Sequence, residues 1–159
     1  MQKLRLIAMG KLTEAAFRDA AAEYARRIGR FFDLTVTEIR PEPLPQNPSP
    51  AEIAKALDRE ADRILDAIPA RSVVAALCVE GRQMPSEDFA RWIGRQAAEG
   101  GETVFLIGSS HGLADRVKQR AAVRLSVSAM TFPHELFRVI LLEQIYRAGE
   151  ILAGGKYHK

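Results

Sequence analysis

Apolar and polar positions alternate along this chain in two rhythms, a short one of period two and a longer one of helical spacing. The stretch KLRLIAM (3–9) alternates and then runs apolar, which predicts a strand ending at Gly10. From Thr13, a residue suited to an N-cap, Ala, Phe and Tyr recur at helical spacing as far as Gly29, so a helix follows. DLTVTEIR (33–40) alternates as a second strand. The next ten residues, PEPLPQNPSP, hold five prolines, each fixing φ and removing a backbone donor, so this segment is a loop. Ser49, Pro50 and Glu52 then stand as N-cap, first helical residue and capping-box acid of a helix reaching about Ile68. SVVAALCV, ETVFLIG and VRLSVS read as short apolar strands, separated by helices near 86–99 and 114–121. A long helix from Pro133 closes the chain. Strand followed by helix, five times over, predicts an α/β fold: a mostly parallel sheet with helices on both faces and ligands outside the carboxyl ends of the strands. The loops that face such a ligand are 78–85, 108–112 and 128–133.

Composition narrows this picture. With 159 residues, 47% of them apolar, the chain is long enough for one core and too short for two ordinary domains, so residues 1–159 are expected to form a single domain. No window approaches the roughly 18 consecutive apolar residues of a membrane span, and the N-terminus has no small-residue cleavage site. The single Cys78 excludes an internal disulfide, and no Cys/His cluster has metal-ligand spacing. A soluble, cytoplasmic protein without membrane contact or structural metal is expected. The formal charge of +3 conceals an asymmetry, since residues 111–159 hold 8 basic and 4 acidic side chains while 1–110 hold 15 and 16. A basic C-terminal third is compatible with phosphate contacts and equally with an ordinary solvated surface.

Neither G-x-G-x-x-G nor G-x-x-x-x-G-K-[ST] occurs, and the loop after the first strand, GKL, has one glycine, so the usual nucleotide-binding loops are absent. Glycines appear instead in FLIGSSHGL, where Gly108 and Gly112 bracket a turn of small residues. Such a turn also serves as a plain strand-to-helix connection in which glycine supplies a left-handed residue. The neighbouring loop, VSAMTFP, is again small and apolar with free backbone groups. Two such loops side by side can hold a flat apolar ring by backbone hydrogen bonds, as an adenine requires. Cys78 has no partner histidine signature or nucleophile elbow and reads as a strand-end residue.

Taken together, LIAMGKL, FLIGSSHGL and the 35-residue stretch LSVSAMTFPHELFRVILLEQIYRAGEILAGGKYHK closely resemble the RlmH family of SPOUT methyltransferases, with the resemblance running end to end. It implies a C-terminal trefoil knot added to the α/β fold, a homodimer, and S-adenosylmethionine-dependent methylation of N3 of a pseudouridine in 23S ribosomal RNA. Periodicity alone argues against threaded chains, so the knot is implied only by the resemblance. By position, the family's cofactor contacts fall on Leu77, on Gly108 and on the run Val127, Ser128, Ala129, Met130, Thr131 and Phe132. Cys78, Ser109 and His111 depart from residues common in the family. A chain with no added RNA-binding domain is expected to recognise its target on a large preformed surface such as the assembled ribosome.

The helix from Pro133 has apolar residues on nearly every side, among them Leu136, Phe137, Ile140, Leu141, Leu142, Ile145 and Ile151, which leads us to expect a partner subunit over one of them. His134, in its first turn, can contact RNA, orient a loop or act as a base, or simply bond local backbone. Glu143 and Arg147 have the favourable i, i+4 order of an intrahelical pair. Arg138 lies on an apolar seam, where an arginine needs an anion or a carbonyl, and is expected at the subunit interface or the active site. The tail AGGKYHK reads as a frayed terminus on composition. The resemblance reverses that reading, because the family keeps a Tyr-His pair there, and Tyr157 and His158 join Arg138 and His134 as expected catalytic residues. Two other functions fit the scaffold: a catalytically silent ribosome-binding factor and a small-molecule nucleotide-binding enzyme.

Overall fold

The computed structural model describes all 159 residues, and strand and helix alternate from end to end. The elements are β1 (Gln2–Met9), α1 (Ala15–Ile28), β2 (Phe32–Ile39), α2 (Pro50–Ala67), β3 (Ser72–Arg82), α3 (Ser86–Glu99), β4 (Glu102–Ile107), α4 (Asp115–Arg120), β5 (Val123–Leu125) and α5 (His134–Leu152). The five strands form one sheet in the order β2-β1-β4-β3-β5, and every pairing is parallel. Parallel neighbours require crossovers, and the helices supply them.

Alternation along the strands sorts the core in two. Leu4, Leu6, Ala75, Phe105 and Ile107 point to the face covered by α1, α3 and α5 and join a cluster of 19 buried residues. Ile7, Met9, Val74, Val104 and Leu106 point the other way, under α2 and α4, in a cluster of 10. Both faces of the sheet are therefore covered along its central strands, as a parallel sheet demands, while the edge strand β2 stays open, with Val36 43% exposed. The larger half is the one built around α5.

The capping box of α2 forms as expected: the Glu52 N–H donates to Ser49 Oγ at 3.1 Å and the Ser49 N–H donates to Glu52 Oε1 at 3.3 Å. The start of α1 differs. Its N-cap is Glu14, with no side-chain cap, and the Thr13 hydroxyl and the Thr13 and Glu14 amides instead donate to Glu135 in the first turn of α5. A carboxylate brought in from the far end of the sequence takes over the task of the local hydroxyl. These donors, the Thr13 amide first, hold the Glu135 carboxyl below the ordinary carboxylate range.

The strand near the C-terminal third is shorter than the sequence pattern indicates, because pairing of β5 with β3 is interrupted. Leu125 faces both Leu77 and Arg82, so Cys78 to Gly81 bulge out between them. Gly81 permits this close approach, since a Cβ there would stand 2.7 Å from the Leu125 carbonyl carbon.

Part of the apolar surface of α5 is covered within the chain. The helix runs between α1 and α3 against the sheet, and Leu141, Leu142 and Ile145 are at most 2% exposed. Ile145 thus belongs to the protomer's own core, while Leu136, Phe137, Val139 and Ile140 of the same helix stay half-buried. From β5 at the edge the chain passes along the carboxyl ends of the strands to place α5 between α1 and α3, a path compatible with a knotted C-terminal segment. We expect Ile145→Ala to lower unfolding stability by about 2–5 kcal/mol, the range for emptying a closed core site. A loss under about 1 kcal/mol in chemical denaturation would contradict this packing.

Candidate active site

The carboxyl ends of β3 and β4 and the segment after β5 enclose a cavity of about 470 Å³. Three segments form its walls: the 78–80 bulge, the 108–112 turn and the 126–132 segment. Leu77, Gly108, Val127, Ser128, Met130, Thr131 and Phe132 line it, so seven of the eight residues expected at the cofactor meet there. Ala129 is exposed and is not on the wall.

Local geometry explains the turn. Gly108 lies against the opposite side of its own loop, where a Cβ would stand 2.3 Å from the Gly112 carbonyl oxygen. Its missing side chain therefore serves the tightness of the turn before any ligand. Ser109 and Gly112 pair as an antiparallel bridge, with the Gly112 N–H donating to the Ser109 carbonyl at 2.8 Å, and Gly112 has φ +88°. In the 126–132 segment, Ser126 Oγ donates to the Ser128 carbonyl at 3.0 Å and the Met130 N–H donates to Ser128 Oγ at 3.0 Å. Two small side chains thereby shape a loop that has no regular structure of its own.

His134 joins the two walls. From the first turn of α5 its Nε2 bonds the Gly108 carbonyl. A carbonyl only accepts, so Nε2 carries the hydrogen and Nδ1 is left as the ring atom free to accept. Of the roles open to this residue, loop orientation is the one its contact performs.

The charged residues of the cavity were not legible in the sequence. Lys118 from α4 reaches the wall and pairs with Glu80 of the bulge, and the two place opposite charges at one end of an otherwise largely apolar chamber. The Lys118 ammonium, as hydrogen-bond partner, holds the Glu80 carboxyl below its ordinary range. Burial, followed by the nearby Glu80 charge, pushes the Cys78 thiol up, away from the thiolate that a nucleophile would need.

Arg138 is not on this wall. Its side chain is buried at the ends of β1 and β2, donating to Glu38 Oε2 at 2.6 Å and to the Gly10 carbonyl at 2.7 Å, while its Nε has no partner. The anion and carbonyl expected for an arginine on this seam are both present, but they belong to a clasp between α5 and the sheet.

The tail is folded back along α5. The Tyr157 hydroxyl donates to Glu143 Oε1 at 3.0 Å, its ring meets Tyr146 edge-on at 4.8 Å, and the Arg147 guanidinium lies 4.7 Å from its centroid. His158 Nδ1 accepts from Arg147 at 3.3 Å and Nε2 donates to Glu87 at 2.8 Å. Neither residue lines the cavity of its own chain. A smaller chamber of about 180 Å³ shares Ser126 and Val127 with the large cavity and is also lined by Ser86 and Gln144. Ser86 donates to Gln144 at 2.7 Å and Gln144 donates to Glu143 at 2.8 Å, so polar contacts run from this chamber to Tyr157.

S-adenosylmethionine matches these residues. The apolar walls suit the purine, the loop backbones suit its polar edge, and Lys118 with Glu80 suits a zwitterionic amino-acid end. A parallel α/β sheet with a cofactor cavity at its carboxyl ends, closed by the segment leading into the last helix, defines a nucleotide-cofactor enzyme. The chain belongs to the SPOUT methyltransferase family, whose model, described as predicted SPOUT methyltransferase, matches residues 2–158. It is 45% identical over 158 residues to ribosomal RNA large subunit methyltransferase H of Streptococcus thermophilus (strain CNRZ 1066), covering 99% of each chain. It is 42% identical over 158 residues to the protein of the same name from Carboxydothermus hydrogenoformans, with the same coverage. Among solved structures it is similar to a probable methyltransferase from Bordetella pertussis Tohama I, with a TM-score of 0.59 at 16% identity over 93% of this chain and 95% of that one. At that identity the likeness is one of fold.

The docked tail has a spectroscopic consequence. Burial first, and then the bond to Glu143, push the Tyr157 phenol from 10 up to about 12. Because the folded value is raised, the contribution is fully present below pH 10 and is lost as pH climbs from 10 to about 12. In an alkaline absorbance titration, Tyr157→Phe should remove a phenol titrating near pH 12, and Glu143→Gln should bring that transition down. A wild-type protein whose three tyrosines all titrate near 10 would contradict the docked tail.

Proposed function

We propose that this protein methylates N3 of a pseudouridine in 23S ribosomal RNA on the assembled ribosome, as a homodimer using S-adenosylmethionine. The observation that carries this reading is the near full-length similarity to ribosomal RNA large subunit methyltransferase H, joined to a cavity lined by seven of the eight residues that the resemblance assigns to the cofactor.

The cofactor supplies a methyl group already activated on a sulfonium centre. What remains for the chain is to hold the ring nitrogen in line and to accept the N3 proton. His158 is equipped for the second task. Its Nε2–H is anchored on Glu87, and Nδ1 is engaged only by the long contact to Arg147, which the imide proton can displace. The imide hydrogen then passes to Nδ1, while the charge developing on the ring is met by the Arg147 cation. Tyr157, held by Glu143, offers an aromatic face or a hydroxyl to the base. His134 keeps the 108–112 turn in register with the start of α5.

The homodimer is supported by the apolar side chains left at the cavity mouth: Val79 is 64% exposed and Met130 is 75% exposed. A second copy covering this edge can bring its own tail to the neighbouring cavity, which reconciles the distance of Tyr157 and His158 from the cavity of their own chain.

The decisive assay follows labelled methyl transfer from S-adenosylmethionine to intact ribosomes and, in parallel, to naked ribosomal RNA. Deletion of Lys156 to Lys159 should leave cofactor affinity within about twofold and reduce transfer by more than about a hundredfold, as when positioning and proton transfer are lost together. His158→Ala activity that recovers as pH rises marks a proton-transfer role, since alkali deprotonates the imide unaided. A truncated protein working at the wild-type rate removes the tail from the mechanism, and no transfer by the intact protein to either substrate refutes the proposed reaction.

A further inference from the structure

Glu60, on α2, is a buried acid that the reaction does not use. It is 3% exposed, yet both carboxylate oxygens are occupied: Oε1 accepts from the Ser109 hydroxyl at 2.8 Å and Oε2 accepts from the Glu42 backbone N–H at 2.9 Å. The first contact reaches the turn that forms one wall of the cofactor cavity. The second reaches the start of the proline-rich loop. A cavity of about 250 Å³ lies beneath that loop, lined by Glu60 together with Pro41, Pro45, Ser109, Ser110 and His111. Ser109, Ser110 and His111 also line the cofactor cavity, so one turn separates the two chambers. The loop is tied to the same helix a second time, because Arg63 donates to the Arg40 carbonyl at 2.7 Å and to Glu42 at 2.8 Å.

A buried carboxylate is costly unless its acceptors are filled, and an apolar side chain would serve packing alone at lower cost. Glu60 instead bridges two segments that have no regular structure, one of which lines the larger cavity. We propose that Glu60 is a positioning residue: it fixes the 109–111 turn for the cofactor and couples that turn to the proline loop, so that ordering either segment orders the other. This inference rests on the reading of the larger cavity as the S-adenosylmethionine site.

The test titrates S-adenosylmethionine calorimetrically into the full-length wild type, Ser109→Ala, Glu60→Ala, Glu60→Gln and Thr131→Trp, the last placing an indole at the exposed cavity mouth. Ser109→Ala and folded Glu60→Ala should each weaken binding about tenfold, the equivalent of one hydrogen bond to a charged group. The double variant should be no weaker than either single one, because both cut the same link. Glu60→Gln can accept from Glu42 and donate to Ser109 Oγ, and should stay within about threefold of wild type. In turnover, KM for S-adenosylmethionine should rise while kcat at saturation changes less than about twofold, the pattern of lost binding that is uniform through the reaction. Cofactor should slow hydrogen exchange at the Glu42 amide in wild type and not in Ser109→Ala. Wild-type affinity in Ser109→Ala and Glu60→Ala, with binding lost in Thr131→Trp, overturns this inference alone. Undiminished binding in Thr131→Trp overturns the cavity reading, and this inference with it.

Discussion

Burial of α5 on three sides, by the sheet, by α1 and by α3, is the constraint from which the geometry of the site descends. Seven of its residues are buried, and the polar ones packed beside them find partners in the protein. Glu135 finds the start of α1, His134 the Gly108 carbonyl, Arg138 the ends of β1 and β2, and Glu143 with Arg147 the tail. These contacts fix the rotation and height of the helix relative to the strand ends. The 126–132 segment, which leads into it, is thereby fixed as a cavity wall.

The opposite wall obeys a different rule. At the bulge and the glycine turn, backbone meets backbone closely, at Gly81 against Leu125 and at Gly108 against Gly112. Side chains are excluded at those two contacts, so main-chain groups line the cavity there beside the side chains of Val79, Glu80 and Lys118. One wall is set by the burial of a helix and the other by the tightness of turns, and His134 is the single side chain that bonds across them.

What the sequence revealed follows the range of the interactions. The strands, the capping box of α2 and the small-residue loops were legible because period-two alternation, Ser49 with Glu52, and glycine or serine content are local signals. The start of α1 was not, because its acceptor, Glu135, lies 122 positions beyond Thr13. Lys118, Glu80 and Glu60 carried no signal for the same reason: a charge on a short helix, on a strand end or on a helix face looks solvated until the fold brings it to a cavity. The apolar circumference of α5 was legible, but the identity of what covers it was not, since a neighbouring helix and a neighbouring subunit ask the same of a sequence. Tyr157 and His158 stood out only through the family resemblance, and their docking on α5 depends on contacts that composition does not encode.

The separation between the partners of α5 also sets a timetable. Arg138 closes on Gly10 across 128 positions, and the Thr13 contact spans nearly as many. Closing such loops costs chain entropy before any contact returns it, and topologies dominated by distant pairings fold slowly. On a ribosome, where the chain emerges from its N-terminus, β1 and α1 wait with an uncovered groove until α5 has emerged. The cavity that depends on α5 is completed only after that helix emerges, so a chain cut short before α5 has neither this cavity nor a finished core and carries exposed apolar surface that favours aggregation.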